Sequence, residues 1–131
     1  KSEYAAVIPK FISCALSGEP MPVHGDGMQT RDFTFVRDVV AANVLAAESG
    51  ATGVFNVAGG KRVSVMELAG IIAKECGVEL KVEHLPARAG DVRDSLADVS
   101  KAKRDCGYEP GYSLEKGLKK TVKWFKDNQL R

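Results

Sequence analysis

The chain has 131 residues, 44% of them hydrophobic and 27% charged, the make-up of one ordinary soluble domain able to bury a core. No apolar run reaches the roughly 18 residues that span a bilayer, and the first twenty or so residues lack a basic start followed by a signal-type apolar stretch, so membrane insertion and secretion are not expected. Nineteen Lys plus Arg against seventeen Asp plus Glu leave a formal charge of +2, far short of the basic excess of a dedicated nucleic-acid binder.

In chain order, Val7, Ile8, Phe11, Ile12, Ala15 and Leu16 recur with a helical period, with Pro9 tolerable in the first turn and Gly18 at the end. Pro20 and Pro22 impose extended chain, Val23-His24 predicts a brief strand, and Gly25-Asp26-Gly27 must turn. Phe33 and Phe35 alternate with polar neighbours, as a second short strand would. From Asp38 to about Ser49 an alanine- and valine-rich stretch predicts a helix, with Asp38 favourable at its positive end. Val54 to Ala58 is apolar on both faces and bounded by glycines, which reads as a buried strand of a parallel sheet.

Ser64 and Glu67 form a capping-box pattern that opens a helix through Val65, Leu68, Ile71 and Ile72 and stops near Gly77. Residues 78–85 alternate as a half-exposed strand, and Pro86 to Asp94 is a polar loop. Ser100 to Cys106 reads as a short helix ended by Gly107. Ser113 caps a last helix with Leu114, Leu118, Val122 and Phe125 on its apolar face. Alternating strands and helices make the fold class α/β. No repeat, low-complexity tract or linker splits the chain, so residues 1–131 are expected to be a single domain.

Cys14, Cys76 and Cys106 are far apart without a Cys-x-x-Cys spacing, so plain packing in a reducing cytoplasm is expected. His24 and His84 have no neighbouring carboxylate or cysteine pattern that would announce a metal site. The lysines of the last helix, Lys116, Lys119, Lys120, Lys123 and Lys126, read as a solvated face.

Two stretches carry chemistry, residues 24–33 around Arg31 and residues 86–94 around Arg88, Asp91 and Arg93. Guanidinium groups converging from two loops suit a diphosphate, because their planar fork binds phosphate oxygens bidentately, and a neighbouring aspartate accepts from sugar hydroxyls. A salt-bridged structural loop is the alternative for the same residues, since spacing does not show that the loops meet.

These residues also carry a resemblance. The strings GDGMQTRDFTFV, VFNVAGG with SVMELA after it, and RAGDVRDSLADVSKAK before YEPGYSLEKGL follow one another from about Ala6 to Phe125. In this order they resemble the C-terminal half of the NAD-dependent nucleotide-sugar epimerase and dehydratase family, the extended short-chain dehydrogenases. Within it the chain looks most like the UDP-glucose 4-epimerases, since the dehydratases usually carry Gly-His-Asp at Gly90-Asp91-Val92 and the decarboxylases usually replace Asp32 with serine. The resemblance implies a substrate-binding C-terminal part that includes the last strand and helix of a Rossmann-type doubly wound sheet. It assigns Arg31 and Arg88 to a UDP diphosphate and Asp91 to a ribose hydroxyl. Pro22, Val23 and His24 would line the uracil pocket, with Val7 helping to close it. Phe33 stands where some relatives have tyrosine, and Arg93 reads as a surface group.

The family's epimerases pass a hydride from sugar C4 to NAD and back. The Gly-x-x-Gly-x-x-Gly turn this needs is not found in the chain, so no cofactor-binding residue is expected here. NAD belongs to the full-length parent, and the catalytic Ser or Thr and Tyr-x-x-x-Lys are expected upstream of Lys1. The one Tyr-x-x-x-Lys present, Tyr112 to Lys116, straddles a helix cap after the nucleotide-binding stretches and is not read as catalytic. With Lys1-Ser2-Glu3 at its start, the chain is expected to be a fragment, inactive alone, of a cytoplasmic homodimeric enzyme. Its partner is a UDP-sugar, with no nucleic acid, membrane or metal involved. An autonomous nucleotide-sugar-binding module, a structural fragment that folds with a partner chain, and a UDP-N-acetylglucosamine 4-epimerase remain the alternatives.

Overall fold

The computed structural model describes residues 7–128; the Lys1-Ser2-Glu3 start and Ala6 lie outside them. Their element order is α1 (Val7–Ser17), β1 (Met21–His24), β2 (Thr30–Arg31), α2 (Val36–Ser49), β3 (Val63–Ser64), α3 (Val65–Cys76), β4 (Val82–Leu85), α4 (Ser100–Cys106) and α5 (Leu114–Asn128). This is an α/β arrangement. The chain divides into two compact units, the first built from residues up to 29, 64–93 and from 118 onward, the second from 30–63 and 94–117.

In the first unit, α1 packs on α3 and on β1. Its core is Phe11, Ile12, Met21, Val23, Leu68 and Ile72, each no more than 1% exposed. β1 and β4 pair in parallel, with Met21 opposite Val82 and His24 opposite Leu85. β4 is shorter than the 78–85 alternation predicts: Val78 and Leu80 are each 40% exposed, and no ladder holds them extended. The capping box forms as read. The Ser64 hydroxyl accepts from Glu67 N at 3.1 Å, and Glu67 Oε2 accepts from Ser64 N at 2.8 Å. The Ser64 N–H, and then the Ser64 hydroxyl donating to the same oxygen at 2.9 Å, hold the Glu67 carboxyl below its ordinary 4.5. At the far end Gly77, at φ +78°, closes α3 with N–H bonds to the Ala73 and Lys74 carbonyls.

In the second unit, α2 packs on α4, and Ala42, Ala102 and Tyr108 form a cluster covered by Leu45, Phe55, Val57 and Val99. The Tyr108 hydroxyl donates to Ala58 O at 2.8 Å, and burial pushes its ionisation upward. Two predicted strands are corrected. Val54 to Ala58 forms no ladder among the described residues. The segment hangs instead on side chains, with Lys101 Nζ donating to Val54 O at 3.0 Å and Asn56 Nδ2 to Asp98 O at 3.2 Å. Val54 is 85% exposed while Ala58 is 5% exposed. Phe33 and Phe35 also lie outside strands: β2 stops at Arg31, and Phe35 is the N-cap of α2, which begins two residues before Asp38.

Asp38 explains that shift. Its buried carboxylate accepts from Gly111 N at 2.9 Å and Tyr112 N at 3.3 Å, so it works inside the first turn, tying the Pro110-Gly111 turn to α2. Tyr112 then stacks near Phe35, with ring centroids 4.7 Å apart. Its hydroxyl accepts from Arg37 at 3.3 Å, which makes this tyrosine a fastening.

Candidate functional site

Because β1 and β4 run parallel, both deliver their carboxyl ends to the same edge, the place where open α/β sheets form ligand crevices. The chain leaves β1 at Gly25 and β4 at Pro86, and these two loops line a cleft of about 280 Å³. Its walls carry His24, Asp26 and Gln29 from the first loop and Arg88, Asp91, Val92 and Arg93 from the second.

Several bonds fix the loop bases. Gly25 N donates to Leu85 O at 2.9 Å. His24 Nδ1 lies 3.0 Å from Pro86 O, and His84 Nδ1 lies 2.8 Å from Gly25 O. A carbonyl only accepts, so both rings carry a proton on Nδ1. Gln29, 9% exposed, donates to His24 O at 2.8 Å, while its own carbonyl and that of Gly27 accept from Val65 N and Met66 N at the start of α3. Gly27 is required twice over. It sits at φ +74°, and a Cβ there would lie 2.6 Å from Met66 Cγ and 2.9 Å from Val23 Cγ1. The second loop turns through Gly90 at φ +80°, with Asp91 N donating to Arg88 O at 3.3 Å.

The charges of the cleft are arranged unevenly. Arg93 holds Asp26 with both prongs, Nη1 to Oδ1 at 2.9 Å and Nη2 to Oδ2 at 3.0 Å. Asp26 also accepts from Met28 N at 2.9 Å. The Arg93 guanidinium, and then the Met28 N–H, hold this carboxyl below its ordinary 3.8. Arg88 is exposed, and among the described residues its guanidinium has no hydrogen-bond or ion-pair partner.

Of the residues assigned from the sequence, His24, Arg88 and Asp91 meet at the cleft. Pro22 shares the half-exposed face of β1 with His24, whereas Val23 points into the core at 1% exposure. Val7 is half-buried at the start of α1. Arg31 belongs to the second unit, where its Nη1 donates to Thr30 O at 2.7 Å. Asp26 and Gln29 were not anticipated. Asp26 sits in a Gly-Asp-Gly turn that announces only a bend, and the burial of Gln29 leaves no local pattern.

A dinucleotide needs a glycine-rich turn into a helix N-terminus. Among the described residues, the strand that leads straight into a helix is β3, and the N-terminus of α3 is already filled by Glu67. These residues do not fit NAD. No group of three or more His, Cys, Asp or Glu side chains suited to a metal ion occurs among them, and no described helix is long and apolar enough to cross a membrane.

A family model described as GDP-mannose 4,6 dehydratase matches residues 2–121. The chain belongs to this family. Among solved structures of nucleotide-sugar enzymes, a Thermotoga maritima UDP-glucose 4-epimerase with UDP-glucose is 41% identical, with a TM-score of 0.90 over 97% of this chain and 41% of that one. A UDP-N-acetylglucosamine 4-epimerase from Methanobrevibacter ruminantium, in complex with UDP-N-acetylmuramic acid, is 44% identical, also at 0.90, with the same shares covered. A UDP-N-acetyl-alpha-D-glucosaminuronate decarboxylase of Bacillus cytotoxicus is 36% identical over 95% of this chain and 41% of its own length. The chain therefore spans about two fifths of the length of these relatives. Membership of the GDP-mannose 4,6 dehydratase family bears out the resemblance to nucleotide-sugar epimerases and dehydratases and the α/β class, while the relatives differ in sugar and in reaction.

Proposed function

We propose that this chain is the nucleotide-sugar-binding part of an NAD-dependent UDP-sugar 4-epimerase, acting on UDP-glucose and UDP-galactose and inactive alone. The observation that supports this reading is the cleft at the carboxyl ends of β1 and β4, which gathers Arg88, Asp91 and His24 beside one another. Arg88, a cation with no internal partner among the described residues, is suited to hold the diphosphate, because a guanidinium binds phosphate oxygens in pairs. Asp91 accepts from a ribose hydroxyl. His24, with Nδ1 bonded to Pro86 O, keeps its ring in one orientation beside the base, flanked by Pro22. From the resemblance, Arg31 is a further diphosphate contact, Val23 contributes its backbone to the uracil pocket, and Val7 closes it. The similarity to a UDP-N-acetylglucosamine 4-epimerase favours an N-acetylhexosamine as the second reading.

Calorimetric titration of the 131-residue chain with UDP tests the reading, with Arg31→Ala and Arg88→Ala compared after circular dichroism shows each to be folded. Binding in the roughly micromolar to millimolar range is expected. Arg88→Ala weakens it roughly tenfold or more, the loss of a charge-assisted pair of bonds. Wild-type affinity in a folded Arg88→Ala chain overturns the assignment.

A further inference from the structure

One polar side chain of the cleft is both uncharged and buried. Gln29 lines it at 9% exposure, whereas Asp26, Arg88, Asp91 and Arg93 are all open to water. The orientation of the Gln29 amide is dictated by its neighbour. His24 O only accepts, so the amide end 2.8 Å from it is the NH2 group, and a flip would set oxygen against oxygen. Oε1 is therefore the end left over. It has no hydrogen-bond partner among the described residues and is not sealed from water. The backbone beneath it is fixed as well. Gln29 O accepts from Val65 N at 3.1 Å, Gly27 O accepts from Met66 N at 3.0 Å, and Gly27 is wedged against Met66 and Val23. A rigid, neutral acceptor is thus offered to the cleft.

Charge and burial sort what such a cleft holds. A ligand that displaces water from Oε1 must bring a donor, or the acceptor is left unpaired. Phosphates bring none and belong with the exposed cation, so the partner of Gln29 is an uncharged part of the ligand that carries an N–H or O–H. Gln29 is bonded to the carbonyl of His24, the residue whose ring flanks the base in the proposed reading. The donor that a uracil base carries is its imide N3–H. We infer that Gln29 reads the base: its Oε1 accepts from the N3–H of uracil and selects against cytosine, whose N3 is itself an acceptor. This rests on the uridine reading of the cleft and adds to it the residue that sets base specificity. With cytosine two acceptors face one another, the arrangement that a site built around a hydrogen bond rejects most strongly.

The test titrates the whole chain with uridine, UDP, CDP and UDP methylated at N3, as wild type, Gln29→Met and Arg88→Ala, each checked for folding by circular dichroism. The wild type is expected to bind UDP roughly tenfold or more tightly than CDP or the methylated analogue, and Gln29→Met to bind all three within about twofold of one another. Gln29→Met also removes the donor to His24 O, so a measurement on the unaltered chain runs beside it. There the Gln29 side-chain carbonyl carbon, followed by NMR, shifts when UDP saturates the cleft and stays near its free position with the methylated analogue. A wild-type chain that binds UDP, CDP and the analogue alike overturns the inference. So does discrimination that survives in a folded Gln29→Met chain, or a carbonyl carbon that responds equally to UDP and its analogue. In each of those cases UDP binding that weakens in Arg88→Ala leaves the proposed function standing. If Gln29 discriminates between the bases while uridine binds as tightly as UDP and Arg88→Ala changes nothing, the inference stands and the diphosphate assignment fails. If neither UDP nor uridine binds a folded wild-type chain, both fall.

Discussion

Asp26, in the loop after β1, and Asp38, in the first turn of helix α2, are both carboxylates bonded across more than sixty residues of sequence, and they show two opposite uses of one side chain. Asp38 is 4% exposed and accepts from two backbone N–H groups. The carboxylate itself is shut off from water, so these bonds to backbone amides are what satisfy it, and removing it takes away a charge-assisted tie to α2. Asp26 is open to solvent and pairs with an arginine whose side chain is itself 62% exposed. Burial thus separates a carboxylate that builds the second unit from one that lines the cleft of the first.

The comparison breaks most visibly at Asp38. Asp38→Ala orphans the Gly111 and Tyr112 amides and is expected to destabilise the chain by about 3 kcal/mol in urea unfolding; a midpoint equal to wild type removes the structural role. Next is Gly27→Ala, expected to cost about 2 kcal/mol, because the new Cβ meets Met66 and Val23 at a left-handed φ. A neutral outcome there shows that the base of the Asp26 turn yields, against the rigidity assigned to it. Ser64→Ala, which removes the hydroxyl of the α3 capping box, is expected to cost about 1 kcal/mol by the same measurement.

The smallest effect is at Asp26 itself. Asp26→Asn should leave the neutral-pH unfolding midpoint unchanged, as an exposed pair allows. Its pH dependence has a definite sign. The folded carboxyl lies below the ordinary 3.8, so whatever stability the clasp contributes is fully present above that value and is lost as pH falls through and below it. In Asp26→Asn that part of the acid dependence disappears. An acid-limb difference that instead grows toward neutral pH contradicts the assignment.

What the sequence disclosed depended on distance along the chain. The Ser64–Glu67 box and the closing glycines Gly77 and Gly107 were legible because each cap is built within a few residues. The loops carrying Arg88 and Asp91 were legible as charged, glycine-containing turns beside strands. Neither the parallel register of His24 with Leu85 nor the bonds joining Asp26 to Arg93 has a local signature. The Val54 to Ala58 run was misread for the converse reason. Its composition is that of a buried strand, but a ladder requires a neighbour, and composition does not supply one. The two units escaped notice because their segments interleave, leaving no linker for composition to mark.

The three unpaired thiols have a kinetic consequence. Cys14 and Cys76 lie in the first unit and Cys106 in the second, all buried, and burial raises the Cys76 thiol above its ordinary 9.0. A thiol reagent must therefore wait at each position for a local opening. Mass spectrometry of the labelled peptides then times the breathing of the two units separately, with native sulfur atoms as the clocks and no engineered probe.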